Sequence, residues 1–559
     1  MTAAAVILTD TRRGRLGHDA ALGDTLADRT VLGHTVARAA SIPAVDRVVL
    51  VHPPGQDPLA LLSGVDLTGD TPMTAVADPS GSPDLSDVDT ATWVAARKWS
   101  MANWRGGLGF STVFDELLPP AAVLHGMDQV DRDSALLLRG DWCAFDPVLA
   151  QQILERHLES PEGMMLCFSQ APPGLAGVAM HRSALEQLVE HRSAFGRALG
   201  YNPHKPGVDP IGREACLAVP PEVRDTARRF IYDTPRAKAM LQRLAARLGP
   251  SFAKADAATI ARAQLELESE SPGDALTDRL APLTTLELTP RRPVAGPITP
   301  HHHVAFDRGD LENAVARQIL DQLGEVGDVS LMLGGLGDAL QHAGYREIVH
   351  AARRAGVMGL GIETDLHVDV DEALSLLDLP LDVVSVRLNA DTAATYQAVM
   401  GSDAFARVGE NLGAMVRERL RRIEAREPAG PWLAVKLIKT HDTLADMESF
   451  FERWLRSGAM AVIEPSCSGC GLMPELSPIP MAPPRREPCR QLGRRLTILS
   501  DGTVAPCDQD WLGRDPLGDA TLEPLADIWS RTADLADQHR SGRYHDLKLC
   551  GQCVEWHRP

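Results

Sequence analysis

The sequence predicts an α/β protein of more than one domain. Short apolar runs of strand length recur along the chain, and helical periodicity separates most of them. The alternation is interrupted once, at 250–280, by an Ala- and Glu-rich stretch that closes in Ser-Pro-Gly. Strand–helix alternation is the pattern of a parallel sheet covered by crossover helices. At 559 residues the chain exceeds one core, and roughly two to four domains are expected.

Taken in order, 4–9 (AAVILT) and 47–52 (RVVLVH) read as buried strands, with a helix at 30–40 between them. This β-α-β opening suggests a parallel sheet. A strand at 135–139 ends at Gly140-Asp141 and a helix follows at 147–157. Further strands are expected at 164–168 and 176–180, then helix at 220–248, broken at Asp233-Thr234-Pro235. Residues 250–280 read as a helical linker. A second series has strands at 284–288, 328–333, 357–362, 382–388, 432–438 and 459–464. Helices are expected at 310–324, 345–355, 370–378, 403–425 and 443–457. These β/α units predict a partial (β/α) barrel or an open doubly wound sheet. The Pro-rich stretch 474–488 reads as a loop.

The apolar fraction of 44% is ordinary for a globular chain. No apolar run reaches the length of a membrane span. Met1 to Asp10 lacks a basic leader and a cleavage site, so it reads as a first strand, and the cytoplasm is the expected location. The formal charge of −19 repels phosphate backbones and disfavours nucleic acid as a partner.

Six of the nine cysteines lie after residue 466, while Cys143, Cys167 and Cys216 stand alone. Such crowding in a cytosolic chain favours metal over disulfides. The main constellation is Cys489, Gly502, Cys507 and Cys550-x-x-Cys553. The text RLTILSDGTVAPC predicts a hairpin turning at Gly502, which would bring Cys489 and Cys507 together. Cys550 and Cys553 have the spacing at which one loop aims two thiolates at one centre. Spacing alone leaves structural zinc and an iron–sulfur cluster both open. Cys467-x-x-Cys470 is a separate pair, read as a reduced loop pair with a metal role or a supply of alternate ligands as the other reading.

The residues around these cysteines resemble the SPASM/twitch extension of radical SAM enzymes. The likeness covers about 489–556 and includes Gly518, Leu525, Ile528 and Trp529, the last two expected as helix core. It implies one [4Fe-4S] cluster on Cys489, Cys507, Cys550 and Cys553. The preceding region resembles a radical SAM barrel in LGGLGDAL (333–340), IETD (362–365) and VSVRLNADTAATYQAVMG (384–401). By that resemblance Gly335, Gly337 and Asp338 are the candidate cofactor-binding residues. The family's CxxxCxxC positions fall on Arg292, Gly296 and Thr299, none of which holds iron as a thiolate does. Ordinary radical initiation then has no site, and S-adenosylmethionine is a doubtful ligand. His301, His302 and His303 read as an exposed polar loop.

The opening segment resembles nucleotidyltransferases in VILTDTRRGRLG (6–17), LRGDWCAFDP (138–147) and IYDTPR (231–236). The resemblance implies a Rossmann-like, GT-A-like domain. Arg12, Arg13 and Arg15 would contact nucleotide phosphates, and Asp141 and Asp233 would hold Mg²⁺. The double glycine of that family's loop is missing, leaving Gly14 and Gly17. The Gly-rich segment 104–116 reads as a substrate loop.

The whole order resembles spiro-SPASM proteins. It sets expected boundaries at 1–245 (nucleotidyltransferase-like), 246–282 (linker), 283–480 (degenerate barrel) and 481–559 (SPASM). Three functions remain open on the sequence. One is a non-radical iron–sulfur protein that transfers electrons, binds substrate or docks a partner enzyme. The second is a nucleotidyltransferase for a sugar or small alcohol, with a regulatory C-terminal half. The third is a non-catalytic scaffold.

Overall fold

The computed structural model describes residues 2–63, 71–78, 94–95, 97–99, 119–191, 195, 214–226, 228–270, 279–479, 482–489 and 491–558. The expected substrate loop at 104–116 lies outside the described residues. The chain forms two compact units, Met1–Glu270 and Ser271–Pro559.

The first unit is built on a sheet of β1 (Ala3–Leu8), β2 (Val45–His52), β3 (Met73–Ala77), β4 (Ser134–Arg139), β5 (Leu166–Ser169), β6 (Val178–His181) and β7 (Cys216–Leu217). Their spatial order is β3-β2-β1-β4-β6-β5-β7. Strands β1 and β4 are buried along their whole length, which is why they read as continuous apolar runs. The chain leaves β1 toward β2 on one side and returns to β4 on the other. That reversal opens a crevice at the carboxyl ends of β1 and β4, the usual ligand position in a doubly wound sheet. Helix α1 (Val31–Ala40) starts at Thr30, whose side chain accepts from the Gly33 amide. Helix α2 (Pro235–Leu248) starts at Thr234-Pro235, an N-cap followed by proline at the first turn.

The expected linker is corrected in part. Helix α3 (Ala257–Glu270) belongs to the first unit, and Phe252, Ile260 and Ala261 are fully buried in its core. Burial of this one face, not composition, decides where the segment belongs. Arg38 fastens the approach by donating to the carbonyls of Phe145 and Ala255, each at 2.8 Å.

The second unit has β8 (Leu283–Leu286), β9 (Ser330–Leu333), β10 (Gly359–Thr364), β11 (Val383–Arg387), β12 (Trp432–Lys439) and β13 (Met460–Pro465). Each strand is parallel to the next, in sequence order. The strand order has no reversal, unlike a doubly wound sheet, and is the order that a partial barrel has. The sheet continues past β8 into β14 (Arg495–Ile498), β15 (Thr503–Ala505) and β16 (Gly518–Asp519). The barrel and the C-terminal region, read as separate domains, thus share one sheet. They also share one core: Ile498, Val504, Leu525, Ile528 and Trp529 pack with the barrel's apolar residues. Among the described residues no helix is long and apolar enough to cross a membrane.

Candidate functional site

The hairpin β14–β15 turns at Gly502, whose φ is +91° and where an added Cβ would lie 2.4 Å from Thr521. It leads directly into Pro506-Cys507. Cys550 opens a short 3-10 turn, Cys550–Gln552, with Cys553 as its cap. The Arg486 guanidinium donates to the carbonyls of Cys553 (2.7 Å) and Cys550 (2.8 Å) and fixes this turn. Its other face lies 4.4 Å from the Tyr544 ring centre. The Leu549 amide donates to Asp515 Oδ2 at 2.7 Å, tying the turn's other end. Cys489, Cys507, Cys550 and Cys553 line one pocket together with apolar Leu492, Leu535 and Trp556 and with Arg486 and His539. Cys470 lines the same cavity. The thiols stand around a space and do not close on one point: among the described residues no three metal-binding side chains are gathered as a single-ion site.

Burial, then the charge of neighbouring Cys489 and Cys553, pushes the Cys550 thiol up to about 12. Burial likewise raises Cys489 and Cys507. Cys553 moves the other way, to about 6, because the Cys470 thiol hydrogen bonds to its sulfur. Helix α4 (Thr532–Arg540) brings His539 to the cavity wall. Its Nδ1 accepts from the Cys489 amide at 3.3 Å. Burial, helped by Arg486, lowers its pKa to about 4. The ring is then neutral at pH 7 with the proton on Nε2, which is buried and has no protein partner.

The barrel mouth is closed by its own charges. Arg292 makes a bidentate pair with Asp365, at 2.7 and 2.8 Å. The Arg387 Nε lies 3.2 Å from the same carboxylate, and its two terminal nitrogens donate to the carbonyls of Gly335 and Gly337, each at 2.9 Å. Lys436 bridges Glu363 (2.8 Å) and Glu464 (2.7 Å). Asp338 is 1% exposed, and its oxygens accept from the Leu340 and Asp365 amides and the Thr364 hydroxyl. Burial and then Asp365 push it up to about 6. Gly335, Gly337 and Asp338, expected to bind a cofactor, are engaged by the protein itself. Gly337 packs against backbone, since a Cβ there would fall 1.8 Å from the Thr289 carbonyl.

The other two lost cysteine positions are equally committed. A Cβ on Gly296 would fall 2.2 Å from the Met400 carbonyl carbon. Thr299 is 1% exposed and its hydroxyl donates to the Gly296 carbonyl at 2.8 Å. Of the three histidines expected on an exposed polar loop, His302 and His303 are exposed and His301 is half-buried. His301, His302 and His303 bond separately to the carbonyls of Pro290, Ala295 and Pro297, stapling the 290–303 loop.

In the first unit a cleft opens at the crevice between β1 and β4. Arg13, Arg15, Asp141 and Asp233 line it, as their expected roles require. Arg12 is not among the lining residues: it is exposed and donates to the Gly55 carbonyl at 2.9 Å. The amides of Arg12 and Arg13 are taken by Asp10 Oδ1, at 2.9 and 3.0 Å, so this loop caps itself. Arg139 grips Asp141 (2.6 Å) and Arg229 grips Asp233 (2.7 Å), with all four side chains buried. Burial opposes the Asp233 charge, but Arg229 outweighs it and lowers the pKa. For Asp141 burial wins, with Asp233 adding to it, and the pKa rises. Both carboxylates are already neutralised by guanidinium groups, so the donor set does not fit the expected Mg²⁺.

Residues 489–554 match the family model described as "SPASM: Iron-sulfur cluster-binding domain". The C-terminal segment is therefore similar to SPASM domains. An uncharacterized protein of Treponema pallidum (strain Nichols) is 29% identical over 136 residues, 24% of this chain and 37% of that relative's length. Among solved structures, BtrN in complex with AdoMet and 2-DOIA covers 50% of this chain and 98% of its own, at 14% identity and TM-score 0.35. Streptococcus suis SuiB bound to S-adenosylmethionine covers 53% and 77%, at 11% identity and TM-score 0.39. A cytidylyltransferase from Leptospira borgpetersenii covers 49% and 96%, at 12% identity and TM-score 0.31.

The thiols here fit the iron–sulfur cluster named in that model's description: four partly buried, mutually repelling sulfurs around one pocket would be stabilised as thiolates by iron. Sequence reading missed two residues there: Arg486 lies in the Pro-rich stretch taken as plain loop, and His539 carries no motif. Cys470 was read only together with Cys467, as a reduced loop pair or a supply of alternate ligands. The structure separates that pair. Cys467 packs near Leu336, Met473 and Trp511, and its thiol rises to about 12 through burial.

Proposed function

We propose that this chain is a radical SAM-like iron–sulfur protein that carries a SPASM cluster but no longer cleaves S-adenosylmethionine. One observation carries the reading. The four SPASM cysteines meet at one cavity, whereas Arg292, Gly296 and Thr299 are consumed by an ion pair, backbone packing and a turn. One [4Fe-4S] cluster, held by Cys489, Cys507, Cys550 and Cys553, would supply single-electron transfer or an iron site for a ligand. The barrel then serves as a rigid support for substrate or for a partner enzyme. Glu287 fits that role. It takes a bidentate Arg308 (2.6 and 2.8 Å) and accepts from the Ser500 amide of the SPASM hairpin (3.2 Å). Arg308 also donates to the Trp511 carbonyl at 2.9 Å. The test is iron, zinc and acid-labile sulfide on anaerobically purified protein. About four iron and four sulfide per chain are expected, lost in Cys550→Ala and Cys507→Ala. One zinc and no sulfide would refute the reading.

A second reading places a nucleotide in the first unit. The cleft at the strand-order reversal, with Arg13 and Arg15 on its wall, favours it. Arg15 is lowered to about 10 by burial and then Arg139, and stays cationic at pH 7. Nucleoside triphosphate binding that is lost in Arg15→Ala supports this reading. No binding at millimolar nucleotide excludes it.

A further inference from the structure

His539 and Arg486 line the pocket of the four cysteines, and each carries a buried N–H donor with no partner among the described residues. A hydrogen bond places the histidine's proton. The Cys489 amide donates to Nδ1 at 3.3 Å, so Nδ1 presents its lone pair and the ring proton is on Nε2. That nitrogen is the buried one without a partner, in a residue that is 1% exposed. With its proton on Nε2 the ring is a donor there and not a ligand to iron. Arg486 is in the same state. Its terminal nitrogens donate to the carbonyls of Cys553 and Cys550, and its face covers the Tyr544 ring. Its Nε–H is left over, buried and without a partner. This arginine lies outside the segment that matches the SPASM family. A buried donor without an acceptor costs about 1–3 kcal/mol. Two of them at one pocket call for acceptors inside it, because Leu492, Leu535 and Trp556 on its walls accept no hydrogen bond.

We propose that His539 Nε2–H and Arg486 Nε–H donate to the sulfurs of the bound cluster and raise its reduction potential. The inference rests on the iron–sulfur reading above and deepens it by naming residues other than cysteine that act on the cluster. Reduction adds one negative charge, which spreads onto the sulfurs. An N–H donated to a sulfur, and the Arg486 charge beside it, stabilise the reduced form more than the oxidised one. Of the two roles left open above, this favours single-electron transfer. Donors to sulfur change the charge that the whole cluster holds, and they open no iron to a ligand. His539 then has two separable tasks: Nδ1 fastens the Cys489 backbone, and Nε2 sets the potential. Asn at 539 keeps the first through Oδ1 and loses the second, because its side chain is shorter than the ring.

The test is a mediated dithionite titration of the anaerobically purified full chain, read by visible absorption and electron paramagnetic resonance. Iron and sulfide are counted in parallel. Wild type, His539→Asn, Arg486→Gln and the double variant are compared. Each single variant is expected to make reduction of the filled cluster about tenfold less favourable, a fall of about 59 mV in potential. The double variant is expected to fall further than either. An unshifted potential in either single variant overturns that residue's part, and unshifted potentials in both overturn the proposal. A second measurement needs no variant and so avoids any folding defect. Dithionite-reduced wild type, isotope-labelled only in the histidine ring nitrogens or only in the arginine guanidinium, is expected to show a nitrogen hyperfine coupling to the cluster spin from each. Spectra without either coupling overturn the proposal. Wild-type protein without iron and sulfide removes the iron–sulfur reading and this inference together. A filled wild type whose potential neither substitution moves removes the inference alone.

Discussion

Arg292 stands where the resemblance to radical SAM enzymes places an iron ligand, and its replacement by Met tests what it does instead. Arg292 and Asp365 are 6% and 0% exposed and joined by two charge-assisted hydrogen bonds. Met keeps much of the stem's packing but leaves the Asp365 carboxylate buried with only Arg387 beside it. Breaking a buried pair from one side costs about 3–5 kcal/mol. The remaining guanidinium favours the lower end, so a loss of about 3 kcal/mol is expected. That is a large share of a typical total of about 5–15 kcal/mol. The double variant Arg292→Met/Asp365→Asn removes the stranded charge and is expected to recover about 2 kcal/mol of the loss. The assay is urea unfolding of the full chain at fixed cluster loading. It is followed by tryptophan fluorescence and fitted for the transition of the second unit. A single variant within about 0.5 kcal/mol of wild type would refute the argument, since that is the range of a substitution without structural role. Burial raises the Asp365 pKa, but Arg292 and Arg387 outweigh it and bring it below the usual carboxylate range. Its contribution is therefore present above the unfolded-state pKa and fades as pH falls through the folded one.

Three further outcomes follow from the same geometry. Glu363 is held down to about 2, burial being outweighed by Lys436 and then Arg387. Stability should therefore fall by about 3 kcal/mol between about pH 4.5 and 2. Lys436→Met should flatten that limb of the pH–stability curve, and an unchanged curve would contradict the assignment. Gly296→Ala should cost about 3 kcal/mol, because its methyl would overlap the Met400 and Val399 backbone; the triple change of Arg292, Gly296 and Thr299 to Cys should add no iron. Measured iron above the wild-type value would show that the barrel still accepts a cluster. His539→Leu removes the acceptor of the Cys489 amide and should release iron to a chelator about tenfold faster. His539→Asn, whose Oδ1 can replace Nδ1, should restore most of the retention; equal loss in both would assign His539 to packing alone.

The strands of both units were legible in the sequence because a strand buried on both faces is a continuous apolar run, as at 3–8, 134–139 and 383–387. The hairpin at Gly502 was legible because a positive φ narrows the choice of residue. The four SPASM cysteines were legible because ligand chemistry restricts residue type and short loops restrict spacing. Met73–Ala77 went unread because its residues are only half-buried at the sheet edge and lack a clear apolar run.

What the sequence alone determined was therefore local: periodicity, turns, ligand types and the absence of cysteine at 292, 296 and 299. Tertiary structure decided everything that depends on distant partners. It placed the 257–270 helix in the first core and ran the barrel sheet on into the SPASM hairpin. It closed Asp141 and Asp233 with arginines and filled the barrel mouth with the Arg292–Asp365–Arg387 pairing. It also divided Cys467 from Cys470: Cys470 lines the pocket of the other four thiols, while Cys467 packs in an apolar cluster. Charge pairing and burial are properties of where chains meet, and no single stretch of sequence records its partner.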